Sequence, residues 1–159
     1  MTRPRLRFPE HLQVIVADLN SGERVASMAV MLTVHPPAKN PYRILAVTGN
    51  DGVALFSRDR VEQTIERSRR NFLMDYEGKI GDCSREADLE VLSGNEVERA
   101  IGAMEKFKRH FEVDLDLLES LKSARNAEIV PTAQRFMIDP PPPGTQEVTI
   151  QVSRRRESM

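Results

Sequence analysis

The sequence predicts a mainly-β fold: an antiparallel β-sandwich with two or three helices inserted between its early strands and its last strand. Three observations carry this. Short β-branched runs bounded by turn residues recur at roughly ten-residue spacing through the first third of the chain. From Ser57 the apolar period lengthens from two to about 3.6. A single alternating run, "QEVTIQV" at 146–152, then returns near the end. Strands, then helices, then a strand is the order of a sandwich with a helical insertion.

The totals fit one such domain. The chain has 159 residues, 40% hydrophobic and 30% charged, the balance of a globular protein with a core of its own. A net charge of -1 offers no global field to nucleic acid or an acidic membrane. Basic charge is carried by 18 arginines against 5 lysines, a bias that suits bidentate anion recognition but also follows from GC-rich codon usage. Cys83 is the single cysteine, which excludes an internal disulfide and a cysteine-based metal cluster. The N-terminal "MTRPRLRFPEHLQ" lacks the apolar stretch of a secretory signal, and the longest apolar-rich run, "VASMAVMLTV" at 25–34, is too short to span a bilayer. The expectation is a cytoplasmic protein without cofactor or metal.

The elements follow in order. Residues 1–10, with Pro4 and Pro9, read as a basic tail, and 11–153 as a single domain with its helical insertion at about 58–126. "LQVIVAD" (12–18) is a first strand closed by Asn20-Ser21-Gly22. In the second, "RVASMAVMLTV", Met28, Val30, Leu32 and Val34 share one face and Ala29, Met31 and Thr33 the other. Both faces are apolar enough to be covered, and Pro36-Pro37 ends the run. "YRILAV" (42–47) and "GVALF" (52–56) flank "TGNDG". "DRVEQTIERSRRNF" is a helix with a narrow apolar stripe, with Asp59 and Glu62 spaced as N-cap and partner. "FLMDY" (72–76) and "ADLEVL" (87–92) are extended runs around the glycine-rich "EGKIGDCSRE". Ser93 and Glu96 form a capping box, after which Val97, Ala100, Ile101, Met104, Phe107 and Phe111 keep helical spacing. "DLLESLKSA" is a third helix, capped by Asp116 with Glu119. "EIVPTAQRFMIDPPPPG" is extended, with Pro140–Pro143 as a stiff spacer. The last strand points Val148, Ile150 and Val152 inward, and 154–159 form a basic tail.

"VIVADLNSGERVASMAVMLTV", followed by "AVTGNDGVALF", resembles the opening half of transthyretin-like and carboxypeptidase-regulatory-like (prealbumin/Ig-like) β-sandwiches. The matching residues are Asp18, Gly22, Ala26, Val30, Thr48, Asp51 and Gly52. The resemblance covers about 45 residues of strand-and-turn pattern, with 146–152 as a closing strand, and residues 57–139 have no counterpart. It implies the sandwich fold. Hydroxyisourate hydrolase, an enzyme of that superfamily, carries a histidine in the first strand and a Tyr-Arg-Gly-Ser tail. Here Ile15 stands at the histidine position and the chain ends Arg-Arg-Arg-Glu-Ser-Met, so its catalytic markers are absent.

Chemistry-bearing residues are sparse. "TGNDG" matches neither a phosphate loop nor a dinucleotide fingerprint, and Leu55 and Phe56 fall where a calcium loop needs oxygens. It reads as a strand corner, since Asn, Asp and Gly tolerate left-handed backbone. Arg58, Arg60, Arg67, Arg69 and Arg70 on the first helix are the candidate binding residues, for phosphate or an acidic partner, although Glu62 and Glu66 interleave with them. With two Tyr and no Trp, stacking platforms for nucleic acid are scarce. Cys83 has no histidine near it in sequence, and His11, His35 and His110 lack metal-ligand spacing. The expected function is a non-enzymatic protein–protein interaction or assembly module, its partners other protein chains, a homo-oligomer among them, with no membrane partner. Two alternatives stand beside it: an enzyme with a pocket between sandwich and insertion, and anion or nucleic-acid binding through the arginine-rich helix.

Overall fold

The computed structural model describes residues 8–35, 41–71, 86–107, 115–125, 127–130, 132–138 and 144–153, with side chains described as far as Thr64 in the first helix and Lys106 in the second. The expected "FLMDY" strand, Cys83, His110, Phe111, Pro140–Pro143 and the C-terminal tail lie outside them.

Among the described residues, seven strands and three helices follow one another as β1 (His11–Asp18), β2 (Ala29–Val34), β3 (Tyr42–Val47), β4 (Val53–Ser57), α1 (Arg58–Asn71), β5 (Glu86–Val91), α2 (Gly94–Phe107), α3 (Leu115–Ser123), β6 (Thr132–Met137) and β7 (Thr145–Val152). The fold is a mainly-β sandwich: a three-stranded sheet β4-β1-β7 faces a four-stranded sheet β3-β2-β5-β6. Every pairing is antiparallel except β1 with β7, which run parallel and join the first strand to the last. The all-antiparallel expectation is corrected there. An antiparallel neighbour can be reached by a tight turn, but β7 arrives after the whole chain has crossed to the other sheet.

Period-two alternation fixes what lies between the sheets. Leu12, Val14, Val16, Ala54, Phe56, Val148, Ile150 and Val152 meet Val30, Leu32, Val34, Ile44, Ala87, Leu89 and Phe136 in one core. The apolar second face of β2 is also covered. Ala29 and Met31, with Leu45, Val47 and Leu92, pack under Val97, Ile101, Leu118 and Leu121 of α2 and α3. The α2 stripe therefore closes on the sheet, forming a third layer. No helix among the described residues is long and apolar enough to cross a membrane.

Three local assignments shift. Ser57, not Asp59, caps α1, its hydroxyl accepting the Arg60 N–H at 3.1 Å, and Asp59 sits within the first turn. Asp116 likewise lies inside α3, which starts at Leu115. Phe8, placed by the sequence in the N-terminal tail, is fully buried in the core. The Glu96 half of the Ser93–Glu96 box forms, with the Ser93 N–H and hydroxyl both donating to the Glu96 carboxylate at 3.1 Å. The stretch 58–126 is more than a helical block, because β5 within it is an internal strand paired to both β2 and β6.

Candidate functional site

The Thr48–Gly52 corner joins β3 in one sheet to β4 in the other. Its turn is closed by the Gly52 N–H donating to the Gly49 carbonyl at 2.9 Å and the Gly49 N–H to the Val53 carbonyl at 3.1 Å. That is a three-residue loop with a glycine bulge, and only Gly52 (φ 74) takes the left-handed backbone. A Cβ on Gly52 would also stand 2.5 Å from the Arg24 Cβ. Asp51 accepts the Val53 N–H at 3.1 Å. Thr48 is buried and bonded both ways, accepting the Met28 N–H at 2.9 Å and donating to the Val25 carbonyl at 2.8 Å. The motif is spent on holding the segment that crosses between sheets, where Ser27 has φ 57.

Two of the candidate arginines have described side chains, and Arg60 lies beside this corner. Arg58 donates to the Phe8 carbonyl at 2.8 Å, tying the N-terminal segment to α1. Arg60 donates to the Leu45 carbonyl at 2.7 Å and the Leu55 carbonyl at 3.5 Å. Both guanidiniums thus serve main-chain carbonyls. The side chains of Arg67, Arg69 and Arg70 lie outside the described residues, and Arg58 and Arg60 bind separate carbonyls and are not gathered into one site. An open groove of about 480 Å³ lies between the corner and α3, lined by Val47, Asp51, Leu55, Arg60, Asp116 and Leu117 among others.

A polar row that the sequence did not single out crosses the outer face of the four-stranded sheet. His35 Nε2 lies 2.9 Å from Asp88, Arg135 Nε donates to the other Asp88 oxygen at 3.0 Å, and Arg135 reaches Glu86 at 3.6 Å. A carboxylate only accepts, so Nε2 carries the proton in this pair. The His35 hydrogen bond foremost, with the bond and charge of Arg135, holds the Asp88 carboxyl below its ordinary value, while burial acts the other way. The row depends on the register that sets Thr33, Asp88 and Arg135 side by side, and no spacing within the sequence reveals it. Among the described residues no three His, Cys, Asp or Glu side chains converge as metal ligands.

The two flanks of the sandwich differ. On the β3–β4 flank, the Leu45 and Leu55 carbonyls accept from Arg60, and the Val53 N–H and carbonyl are bonded to Asp51 and Gly49. On the opposite flank, the Gly144 and Val152 carbonyls face β1, accepting from His11 at 3.3 Å and Leu19 at 2.9 Å. Alternation then turns the N–H and C=O groups of Thr145, Glu147, Thr149 and Gln151 away from β1. Among the described residues none of these groups is bonded, and β7 pairs with β1 alone. At one end of this row the Val130 N–H donates to the Ser153 carbonyl at 2.9 Å; at the other, Gln146 Nε2 donates to the Met137 carbonyl at 2.9 Å.

No protein-family model matches the sequence, and no curated protein does either. Among solved structures, an (S)-allantoin synthase is similar at 15% identity and a TM-score of 0.41, over 92% of this chain and 43% of that one. The chain thus spans less than half the length of that structure.

Proposed function

We propose that the chain is a transthyretin-like or Ig-like sandwich acting in the cytoplasm as a non-enzymatic interaction or assembly module, which takes an extended segment of another protein chain along β7. The observation that carries this reading is the unequal treatment of the flanks: Arg60 and the corner engage outward groups of Leu45, Val53 and Leu55 on one, while on β7 the whole outward row from Thr145 to Gln151 carries no bond among the described residues. An unpaired edge is a template for strand addition, with main-chain bonds for affinity and alternating side chains for selectivity. The corner supports the fold half of the reading, since Thr48, Asp51 and Gly52 each hold a defined joint of the sandwich.

Thr149→Pro tests it. Proline removes an N–H that faces away from β1, so the internal ladder is spared. Affinity capture followed by mass spectrometry is expected to recover protein partners with the native chain and lose them with the variant. The same recovery from both would end the reading.

One observation favours a second reading, an enzyme or ligand binder with its pocket between sandwich and helices. The groove beside α3 lies in that place. A small molecule raising the melting temperature of the native chain but not of Asp116→Asn would support it, whereas equal shifts would place the ligand elsewhere.

A further inference from the structure

We propose that the segment received by the β7 edge belongs to a second copy of this chain, the two β7 strands pairing antiparallel about a two-fold axis at Val148. This rests on the reading of the chain as an interaction module and names its partner.

The argument is one of self-complementarity. Thr145, Glu147, Thr149 and Gln151 form an evenly spaced outward row centred on Val148. A two-fold axis there sets Thr145 opposite Gln151 of the second copy and Glu147 opposite Thr149 of the second copy. All four residues become hydrogen-bonded pairs, about eight new main-chain bonds in all. An axis one residue later would set Thr145 against Ser153, whose carbonyl already accepts from Val130. Side-chain chemistry agrees. Glu147 is the only charge on β7, and this register faces it with a threonine and not with its own copy.

The ends of the row supply a second observation. Val130 and Met137 are large apolar side chains left 45% and 51% exposed. Val130 is anchored at the Ser153 end of β7, and Met137 at the Gln146 end. Antiparallel pairing exchanges the ends, so Val130 of each copy comes beside Met137 of the other. Both apolar surfaces are then covered in one contact. The other edges are less suited. On β3 and β4 Arg60 occupies the carbonyl in the middle of each outward row, Leu45 and Leu55, and on β6 the outward row is shorter, with Met137 already accepting from Gln146. The product is a continuous six-stranded sheet, β4-β1-β7 followed by its two-fold image, in a closed dimer with no further β7 edge to extend it.

Light scattering across a concentration series tests the pairing with three variants of the full chain. The native protein is expected to dimerise at micromolar concentration. Thr149→Pro and Thr149→Glu should each weaken the dimer at least about tenfold, the second by setting like charges against Glu147 twice. Thr149→Lys, facing Glu147 of the second copy, should leave the dimer as tight or tighter. Melting of the dilute monomer reports folding, and the two exposed charge variants keep the test open if proline disturbs it. A monomer at all concentrations, or a dimer indifferent to Thr149→Pro and Thr149→Glu, overturns the proposal. Thr149→Lys weakening the dimer as much as Thr149→Glu overturns the Val148 axis. If the chain stays monomeric yet binds another polypeptide in a way that Thr149→Pro abolishes, this inference falls and the interaction reading stands. If that binding is also indifferent to proline, both fall.

Discussion

Thr48 and Gly52 show how much of one corner rests on two side chains, one of them a hydrogen atom. Thr48→Val keeps the shape but leaves the Met28 N–H and Val25 carbonyl buried without their partner. The expected loss is about 2–4 kcal/mol in denaturant unfolding. Gly52→Ala adds left-handed strain to a collision with Arg24, for a loss of about 2–4 kcal/mol. Ser27→Gly relieves the left-handed backbone at φ 57 and is expected to be neutral or to stabilise by up to about 1 kcal/mol. At Asp88 the expectation concerns pH. Its folded-state carboxyl titrates below the unfolded one, so its contribution is complete above the unfolded value of about 3.9 and drains away as pH falls through the folded value. Thermal melts between pH 7 and 2 should show Asp88→Asn less stable than the native chain at neutral pH. The gap should narrow as the pH falls; a gap of the same size at neutral and acid pH would place the effect of Asp88 outside its ionisation.

At the scale of elements, Arg60 is the joint between sheets. It leaves the first turn of α1 to meet one outward carbonyl of β3 and one of β4, so one side chain ties two edges together. Arg60→Ala should cost about 1–3 kcal/mol and, by freeing a carbonyl on each edge, raise aggregation on heating, measured by turbidity during the melt. A variant as stable and clear as the native chain would show that water serves those carbonyls equally well. The helical layer is held differently, by burial. Leu121 of α3 is fully covered in the cluster it forms with α2 and the sheet, and Leu121→Ala is expected to cost about 2–5 kcal/mol through the cavity it leaves. These elements were legible because each carries its own period. The Ser93–Glu96 box and the stripe through Val97 and Ile101 mark α2 without reference to anything distant. Caps were less legible where candidates adjoin. Ser57 and Asp59 both suit the start of α1, and the choice falls on the residue that ends β4.

For the molecule as a whole, β5 and β7 mark where local pattern stops informing. Each reads as a strand on its own, but the strand order β3-β2-β5-β6 and the parallel union of β1 with β7 are settled by packing across the core. The His35–Asp88–Arg135 row and the open β7 edge are products of that order, which is why no spacing in the chain announced them. The arginines of α1 illustrate the converse. Their number was plain, but what Arg58 and Arg60 bind depends on carbonyls that folding brings to them. The same topology has a consequence for folding. β1 lies at the centre of its sheet, and one of its two neighbours is the last strand. Until β7 arrives, Val14 and Val16 lack the cover of Val148 and Ile150. Sheets closed by such distant pairs form slowly, since the intervening loop must be ordered first. A chain ending at Gly144 is therefore expected to show no cooperative melt by circular dichroism. Adding a peptide of residues 145–153 in trans should restore one, with a midpoint that rises with peptide concentration. A cooperative melt without the peptide would mean that the four-stranded sheet and its helices hold the fold unaided.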